Sequence, residues 1–337
     1  MELKVFESPG EEWDEFSSRY TDLIFYQSVW SEVLKKGLGG QPLYFYLREG
    51  GEIVAGLPGV LLNFKIFKIL YASLPYGNLI GQKEYFSAFF ENLEREFRRR
   101  RIHQVRITDS PFWEKRNPDS NYKGLENICT LIDLKNMDEE RLWKSYSHYV
   151  RRDIKRAQKH GIEIHKGRSK EDFDCLYKLY LKAMERNLAP AKYPYQFVMA
   201  LGEFIMASNR GVLLIAKMNQ IPVAGILLIH SNSSTHAFLA GSDSAFLKFY
   251  PNKFLIHRSL VESIVCGHQV FDFMGSEKED ENLIRFKNLW GGRPNTMTTY
   301  VKDYNPLRCW IWDKTRSFIN TPMGSKLTRM IRSKILR

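Results

Sequence analysis

The chain of 337 residues has only four cysteines, Cys129, Cys175, Cys266 and Cys309, and no two of them form a C-x-x-C pair. That scatter argues against a zinc site, a redox motif and a disulfide scaffold, and it leaves the thiols as small apolar side chains in a reducing compartment. The histidines show no metal-ligand spacing either, so no metal is expected. No uninterrupted apolar run of about 18 residues occurs, and the opening MELKVFESPGEEWDEF lacks a basic region followed by an apolar one. The expectation is a cytoplasmic protein that is neither exported nor membrane-spanning. Low-complexity linkers are absent too, and an apolar content of 44% is that of a folded body. The length suits about two domains.

Acidic residues run short toward the carboxyl end. Residues 308 to 337 hold eight Lys or Arg against one Asp, which supplies seven of the twelve net positive charges. Within KLTRMIRSKILR, Leu327, Met330, Ile331 and Ile335 can share one helix face while Arg329, Arg332 and Lys334 occupy the rest, as an interfacial helix requires. Residues 306–337 are therefore expected to be a basic amphipathic helical segment, with 321–337 able to touch an anionic membrane. Charge alone does not choose between a membrane face and RNA.

What the chain does contain is a repeat. PLYFYLREGGEIVAGLPGVLL (42 to 62) reads as strand, Gly-Gly turn and strand, and GVLLIAKMNQIPVAGILLIH (211 to 230) repeats the design. Each is followed by further strand material, by a helix at about 84 to 100 or 251 to 266, and by a strand ending at Asp109 or near Gly275. Ala55 and Ile107 lie 52 residues apart, and Ala224 and Asp272 lie 48 apart. Two β-β-β-α-β units in register indicate an internal duplication. The fold class is α/β (α+β): tandem domains at 1–137 and 138–305, with mixed sheets flanked by helices and joined across a cleft. Between the repeats, DEERLWKSYSHYVRRDIKRAQKHGI places Leu142, Tyr146, Tyr149, Val150, Ile154 and Ala157 near helical spacing and ends at Gly161. Further helices are expected at about 170 to 187 and 194 to 209.

Four passages, SYSHYVRRDIKRAQKHGIEI, NQIPVAGILL, FYPNKFLIHRSLVESIVCGHQVFDFMGS and LIRFKNLWGGRP, resemble the FemABX and GNAT-related transferases over roughly residues 139 to 303. YQSVWSEVLKKG, EIVAGLPGVLL and SLPYGNLIG extend the resemblance, more loosely, to the first half. The resemblance implies two acetyltransferase-like domains and transfer of an amino acid from aminoacyl-tRNA to an amine of a cell-wall precursor, with no cofactor beyond that co-substrate. An acyl-CoA donor with an amino-sugar or peptide acceptor is the alternative, and a non-catalytic membrane- or RNA-binding protein the second. In ordinary acetyltransferases a Gly-rich turn before a helix offers backbone N–H groups to the coenzyme A pyrophosphate. Here that turn reads KFYPNKFL, without those glycines and with Pro251 removing a donor. Residues 170 to 209 also leave no room for the coiled-coil arm of the cell-wall members, which points to polysaccharide or other envelope pathways as well as peptidoglycan.

The resemblance and the residue chemistry together nominate a site. Phe286 and Lys287 match the family's Phe-Lys pair, and a Lys there suits a tRNA terminal phosphate or the oxyanion formed when an amine attacks an ester. Gly291 and Gly292 would allow a tight turn beneath it. Asp272 and Asp109, read as equivalent positions of the repeat, are candidates to orient or deprotonate the amine. Arg186 and Tyr193 are expected in the acceptor groove, Asn252 at the helix start near the donor, and Trp30 with Lys35 on a nucleotide sugar. Arg151, Arg152, Lys155 and Arg156 gather on one side of the linking helix, where tRNA phosphates are the fitting partners.

Overall fold

A computed structural model describes residues 1–319 except 65, 114, 117, 119 and 120, and leaves aside the side chains of 316–319. The expected membrane-contacting stretch 321–337 lies outside the described residues.

The first half runs β1 (Glu2–Phe6), α1 (Glu11–Ser18), α2 (Ser28–Leu38), β2 (Gln41–Glu49), β3 (Glu52–Phe64), β4 (Phe67–Tyr71), a short β5 (Ile80–Gly81), α3 (Phe86–Arg99) and β6 (Gln104–Thr108). After β7 (Lys123–Asp133), the helices α4 (Glu139–Ser145) and α5 (His148–Lys159) lead into the second half. That half runs β8 (Ile162–Gly167), α6 (Lys170–Arg186), α7 (Tyr195–Ser208), β9 (Gly211–Met218), β10 (Ile221–His230), β11 (Ser234–Ser242), α8 (Pro251–Val265) and β12 (Val270–Glu277). Finally come α9 (Glu281–Asn288), β13 (Arg293–Asp303) and α10 (Pro306–Ile319).

Local chemistry accounts for these boundaries. The hairpin β2–β3 turns on Gly50 and Gly51, and β9–β10 turns on Asn219 and Gln220; each pair takes positive φ, as a two-residue hairpin demands. Ser169 and Asp172 cap α6 reciprocally. The linking segment is two helices rather than the single periodic one expected. Tyr146 is extended, and the Ser147 hydroxyl accepts from Val150 N at 3.3 Å, starting a new helix. Tyr146 turns inward against Trp290 and His257 while Tyr149 is exposed.

All described strands belong to one sheet, in the order β1-β2-β3-β4-β6-β13-β7-β12-β11-β10-β9-β8, with β5 paired to β3. Read from either edge, the pairings repeat: three antiparallel contacts, one parallel contact (β4–β6 or β11–β12), then an antiparallel contact to a sixth strand. The sixth strand is exchanged. β13, late in the sequence, closes the first half against β6, and β7 closes the second against β12. β7 and β13 then pair with each other along nine residues. Neither 1–137 nor 138–305 is thus a self-contained sheet.

Among the described residues the halves meet in one apolar cluster at their helical contact. Trp30 and Phe25 of the first half share one apolar cluster with Phe197, Phe204 and Phe238 of the second. Trp30 meets Phe204 and Phe238 edge-on, with ring centroids 6.1 and 5.6 Å apart. At this contact α2 and α7 each turn an apolar face to the other. A second core lies under α5 and α8, and a third under α3.

One packing contact is tight enough to test. A Cβ built on Gly241 of β11 would lie 2.2 Å from Tyr180 N of α6, so α6 seats only on a glycine. Gly241→Ala is expected to lower the unfolding free energy by about 3 kcal/mol in urea titration, whereas Gly10→Ala, with open space around it, changes it by less than about 0.5 kcal/mol. Equal values for the two variants would contradict the packing.

Candidate active site

The parallel pair β11–β12 is joined only from Ser234–Val270 to His236–Asp272. β11 nevertheless continues to Ser242 and β12 to Glu277. Beyond the last pair, β11 is held on its β10 side and β12 on its β7 side. Two strand edges therefore diverge with main-chain donors and acceptors facing a wedge between them. The ladder of β12 with β7 slips at the same point, between Asp272 and Gly275, and Met274 takes φ +62°. Such a bulge re-aims the backbone of the wedge wall.

The apex of the wedge is Asp272, fully buried. Its Oδ2 accepts from Tyr76 OH (2.9 Å) and pairs with His236 Nδ1 (2.9 Å), and its Oδ1 accepts from Cys129 Sγ (3.0 Å) and Met274 N (2.7 Å). Burial alone would raise its pKa, but the His236 imidazole, the Cys129 thiol and the Met274 N–H outweigh it and hold the carboxyl below its ordinary range. Burial, reinforced by the neighbouring carboxylate, pushes the Cys129 thiol and the Tyr76 phenol well upward, so both keep their protons. His236 Nε2 in turn contacts Ser231 Oγ (2.9 Å) and Ser234 Oγ (3.2 Å). With its lone pairs engaged in this way, Asp272 positions other groups and is not placed to take a proton from a substrate.

Lys287 projects from α9 against the β12 wall and is 6% exposed. Its ammonium donates to Met274 O (2.8 Å) and Ser276 Oγ (2.7 Å). Burial lowers its pKa to about 8, opposed by Cys129 and Asp272. Phe286 beside it is half-buried and meets Trp290 edge-on at 6.3 Å. Gly291 has φ +79°, and a Cβ on Gly292 would lie 2.3 Å from Thr130 Cγ2, so both glycines are needed where the chain turns into β13.

At the far end of β11, Ser242 gathers two expected residues. Arg186 Nη1 donates to Ser242 O (3.2 Å) and Oγ (3.3 Å), and Asn252 Nδ2 donates to Ser242 Oγ (3.2 Å). The segment between α6 and α7 straps across the wedge: Tyr193 lies over Phe238 of β11 with ring centroids 5.6 Å apart, and Lys192 reaches Glu277 of β12 at 4.0 Å. Arg186, Tyr193, Asn252, Lys287 and Asp272 thus border one wedge.

The basic helix α5 flanks the start of α8. Arg156 Nη1 donates to Tyr250 OH (3.4 Å), and the buried Asp153 carboxylate holds Lys253. Lys155 lies over Trp143 (5.9 Å) and Arg152 over Tyr149 (5.2 Å) while also bonding Asp153. Arg151 differs from expectation: it caps α4 through the Trp143 and Lys144 carbonyls (3.4 and 3.1 Å). At the head of α8, Tyr250 takes the left-handed conformation and Pro251 stands at the first helical position.

The expectations for Trp30 and Asp109 need correction. Trp30 is fully buried, and its indole N–H is already bonded to Leu74 O (2.6 Å), so it is core rather than substrate contact. Lys35 is exposed and faces Glu32 at 3.9 Å. Asp109 and Asp272 are not equivalent. Counted from the first rung of each ladder, Asp272 (opposite Leu131) matches Arg106 (opposite Val301). Asp109 instead bonds Asn78 and Arg116 N within the first half, with its pKa raised by burial. Tyr76, Cys129, His236 and Ser242 carry the site without any sequence motif; Cys129 in particular works as a thiol donor, not as an apolar filler.

Residues 144–288 match the family model for the acetyltransferase (GNAT) domain. The fold is GNAT-type, and over the whole chain it is similar to that of FemX. A crystal structure of FemX aligns at TM-score 0.66 and 13% identity over 91% of this chain and 99% of that one. The carboxyl-terminal domain of a putative lysylphosphatidylglycerol synthetase from Agrobacterium fabrum aligns at 0.57 and 14% identity, over 90% and 96%. A tandem GNAT protein from the clavulanic acid biosynthesis pathway aligns at 0.59 and 10% identity, over 90% and 98%. No curated protein sequence matches. Among the described residues no group of side chains fits a metal ion, and no helix is long and apolar enough to cross a membrane.

Two outcomes follow from the buried charges. Asp272→Asn leaves donors facing an amide and is expected to cost about 3 kcal/mol at pH 7 by urea unfolding; a loss under about 0.5 kcal/mol would remove Asp272 as the organising group. For Lys287, the unfolded chain keeps its proton to about pH 10.5 while the folded chain releases it near 8. The unfolded state binds more protons in that window, so wild type gains stability relative to Lys287→Met as pH rises, by about 3 kcal/mol in full. A difference that stays flat across the window contradicts the buried ammonium.

Proposed function

We propose that the protein is an N-acyltransferase that moves an aminoacyl group from aminoacyl-tRNA to an amine of a cell-envelope precursor. The observation that carries the reading is the buried Lys287 ammonium at a wedge where β11 and β12 part. An ester carbonyl seated between the strand edges would meet main-chain N–H groups and the ammonium as its oxygen gains charge, and such preorganised donors supply the largest catalytic term in acyl transfer. The amine approaches from the Arg186 and Tyr193 side. Because an aminoacyl ester is already activated, holding the two reactants in near-attack geometry does most of the remaining work.

The donor end favours tRNA over coenzyme A. The turn into α8 carries Tyr250 and Pro251 in place of glycines, and Lys253 is tied to Asp153. Arg152, Lys155 and Arg156 beside it suit a longer phosphate backbone. The similarity to FemX and to a lysylphosphatidylglycerol synthetase domain supports an aminoacyl donor and an envelope acceptor. Peptidoglycan and polysaccharide precursors share the required amine, and the protein acts in the cytoplasm on this reading. An acyl-CoA donor is the second reading, supported by the tandem GNAT neighbour from the clavulanic acid pathway.

The purified protein is offered aminoacyl-tRNA or acetyl-CoA with amine-bearing envelope precursors. Transfer from aminoacyl-tRNA is expected, and Lys287→Ala is expected to reduce it by about 100- to 1,000-fold with an unchanged circular dichroism spectrum. Turnover of acetyl-CoA alone selects the second reading, and full activity of Lys287→Ala removes Lys287 from the mechanism.

A further inference from the structure

On the opposite part of the sheet, a cavity of about 520 Å³ is lined by Lys68, Arg98, Arg101, His103, Tyr304 and Arg308 together with Ile102 and Asn305. None of its lining residues is acidic. Among the described residues no carboxylate pairs with Lys68, Arg98, Arg101 or Arg308: Arg98 lies over the Tyr304 ring at 5.3 Å, and Arg308 Nη1 donates to Ile66 O at 3.1 Å. Four cations from β4, α3, the turn after it and α10 converge on one space without a counter-charge.

His103 shows that the space wants an acceptor. The Lys68 backbone N–H donates to His103 Nδ1 (2.9 Å), so Nδ1 is the bare nitrogen and Nε2 carries the hydrogen. Nε2 stands 3.2 Å from Arg308 Nη1, which can only donate. His103 is buried, at 8% exposure, in the wall of this cavity. An anionic oxygen set between the two donors would satisfy both.

The rim of the cavity is apolar and uncovered. Leu307, Trp310 and Ile311 fall on one face of α10 at spacings of three and four, with exposures of 67, 59 and 38%. Ile66, whose carbonyl holds Arg308, is 59% exposed, and Phe64 next to it stacks on Trp312 at 4.5 Å. Indole and aliphatic side chains beside a cationic pocket match the layering of a lipid surface, where headgroup phosphates lie above acyl chains.

We propose that this cavity binds the phosphate of an anionic phospholipid headgroup, with the exposed face of α10, Phe64 and Ile66 seated in the lipid interface. The site is separate from the wedge, and its occupancy does not depend on which donor the enzyme uses. It would set the first half of the sheet on a membrane and leave the amino-acyl chemistry of the second half facing the surface-bound acceptor.

The full chain is co-sedimented with vesicles of phosphatidylcholine containing about one-third phosphatidylglycerol. Arg98→Glu/Arg101→Glu is expected to weaken association by at least about tenfold, and Arg98→Lys/Arg101→Lys to stay within about threefold of wild type. Arg141→Glu/Lys144→Glu, which makes the same charge change on α4, is expected to stay within about threefold as well. The proposal is overturned if the two charge reversals weaken binding equally, or if neither does. It is overturned in favour of a soluble ligand if calorimetry shows inorganic phosphate binding that the Arg98→Glu/Arg101→Glu change abolishes while vesicle association is unaffected.

Discussion

The carboxylate of Asp272 ties the site together. It binds Tyr76 from a loop of the first half, Cys129 from the exchanged strand β7, His236 from β11 and the Met274 amide in its own bulge. A buried carboxylate is costly unless its lone pairs are met, so the four groups are held in one arrangement or the charge is not tolerated. The bulge fixes where the carbonyl of Met274 points, and that carbonyl, with Ser276, fixes the Lys287 ammonium. The position of the buried Lys287 cation at the wedge is thus inherited from an anion that does not itself meet substrate.

Strand exchange explains why this anchoring works across both halves. β7 and β13 pair with each other at the centre of the sheet, and each completes its half against a strand far from it in sequence. Cys129 can reach Asp272 only because β7 stands beside β12. The loop that carries Tyr76 closes the corresponding gap in the first half, where Gly77 bridges Thr108. One repeat therefore has its wedge filled and lends a side chain to the other, whose wedge stays open. A duplicated fold with one filled and one open copy is a physical basis for dividing labour between structure and chemistry.

Much of the fold was legible in the sequence. The paired hairpins, the helices near 84–100 and 251–266 and the family motifs lead to the right class, because alternation, turn residues and Pro at a helix start are local signals. Lys287, Asp272, Arg186, Tyr193 and Asn252 all border the wedge. What stayed hidden depends on long-range pairing. The strand exchange leaves no trace in periodicity, and Tyr76, Cys129 and His236 lie far apart along the chain with no common motif. Spacing alone misjudged Asp109: in the two parallel pairs it is Arg106, opposite Tyr71, that matches Asp272, opposite His236. Trp30 looked like a ligand contact because an aromatic near a motif has the same letter whether it lies in a groove or in a core.

The most direct measurement is a crystal structure with a non-hydrolysable aminoacyl-tRNA acceptor-end analogue soaked into the protein. Density is expected between the diverging edges of β11 and β12, with the analogue's carbonyl oxygen within hydrogen-bond reach of the Lys287 ammonium and its terminal phosphate near Arg156. An analogue bound elsewhere, or a wedge that stays shut while transfer proceeds in solution, contradicts that placement.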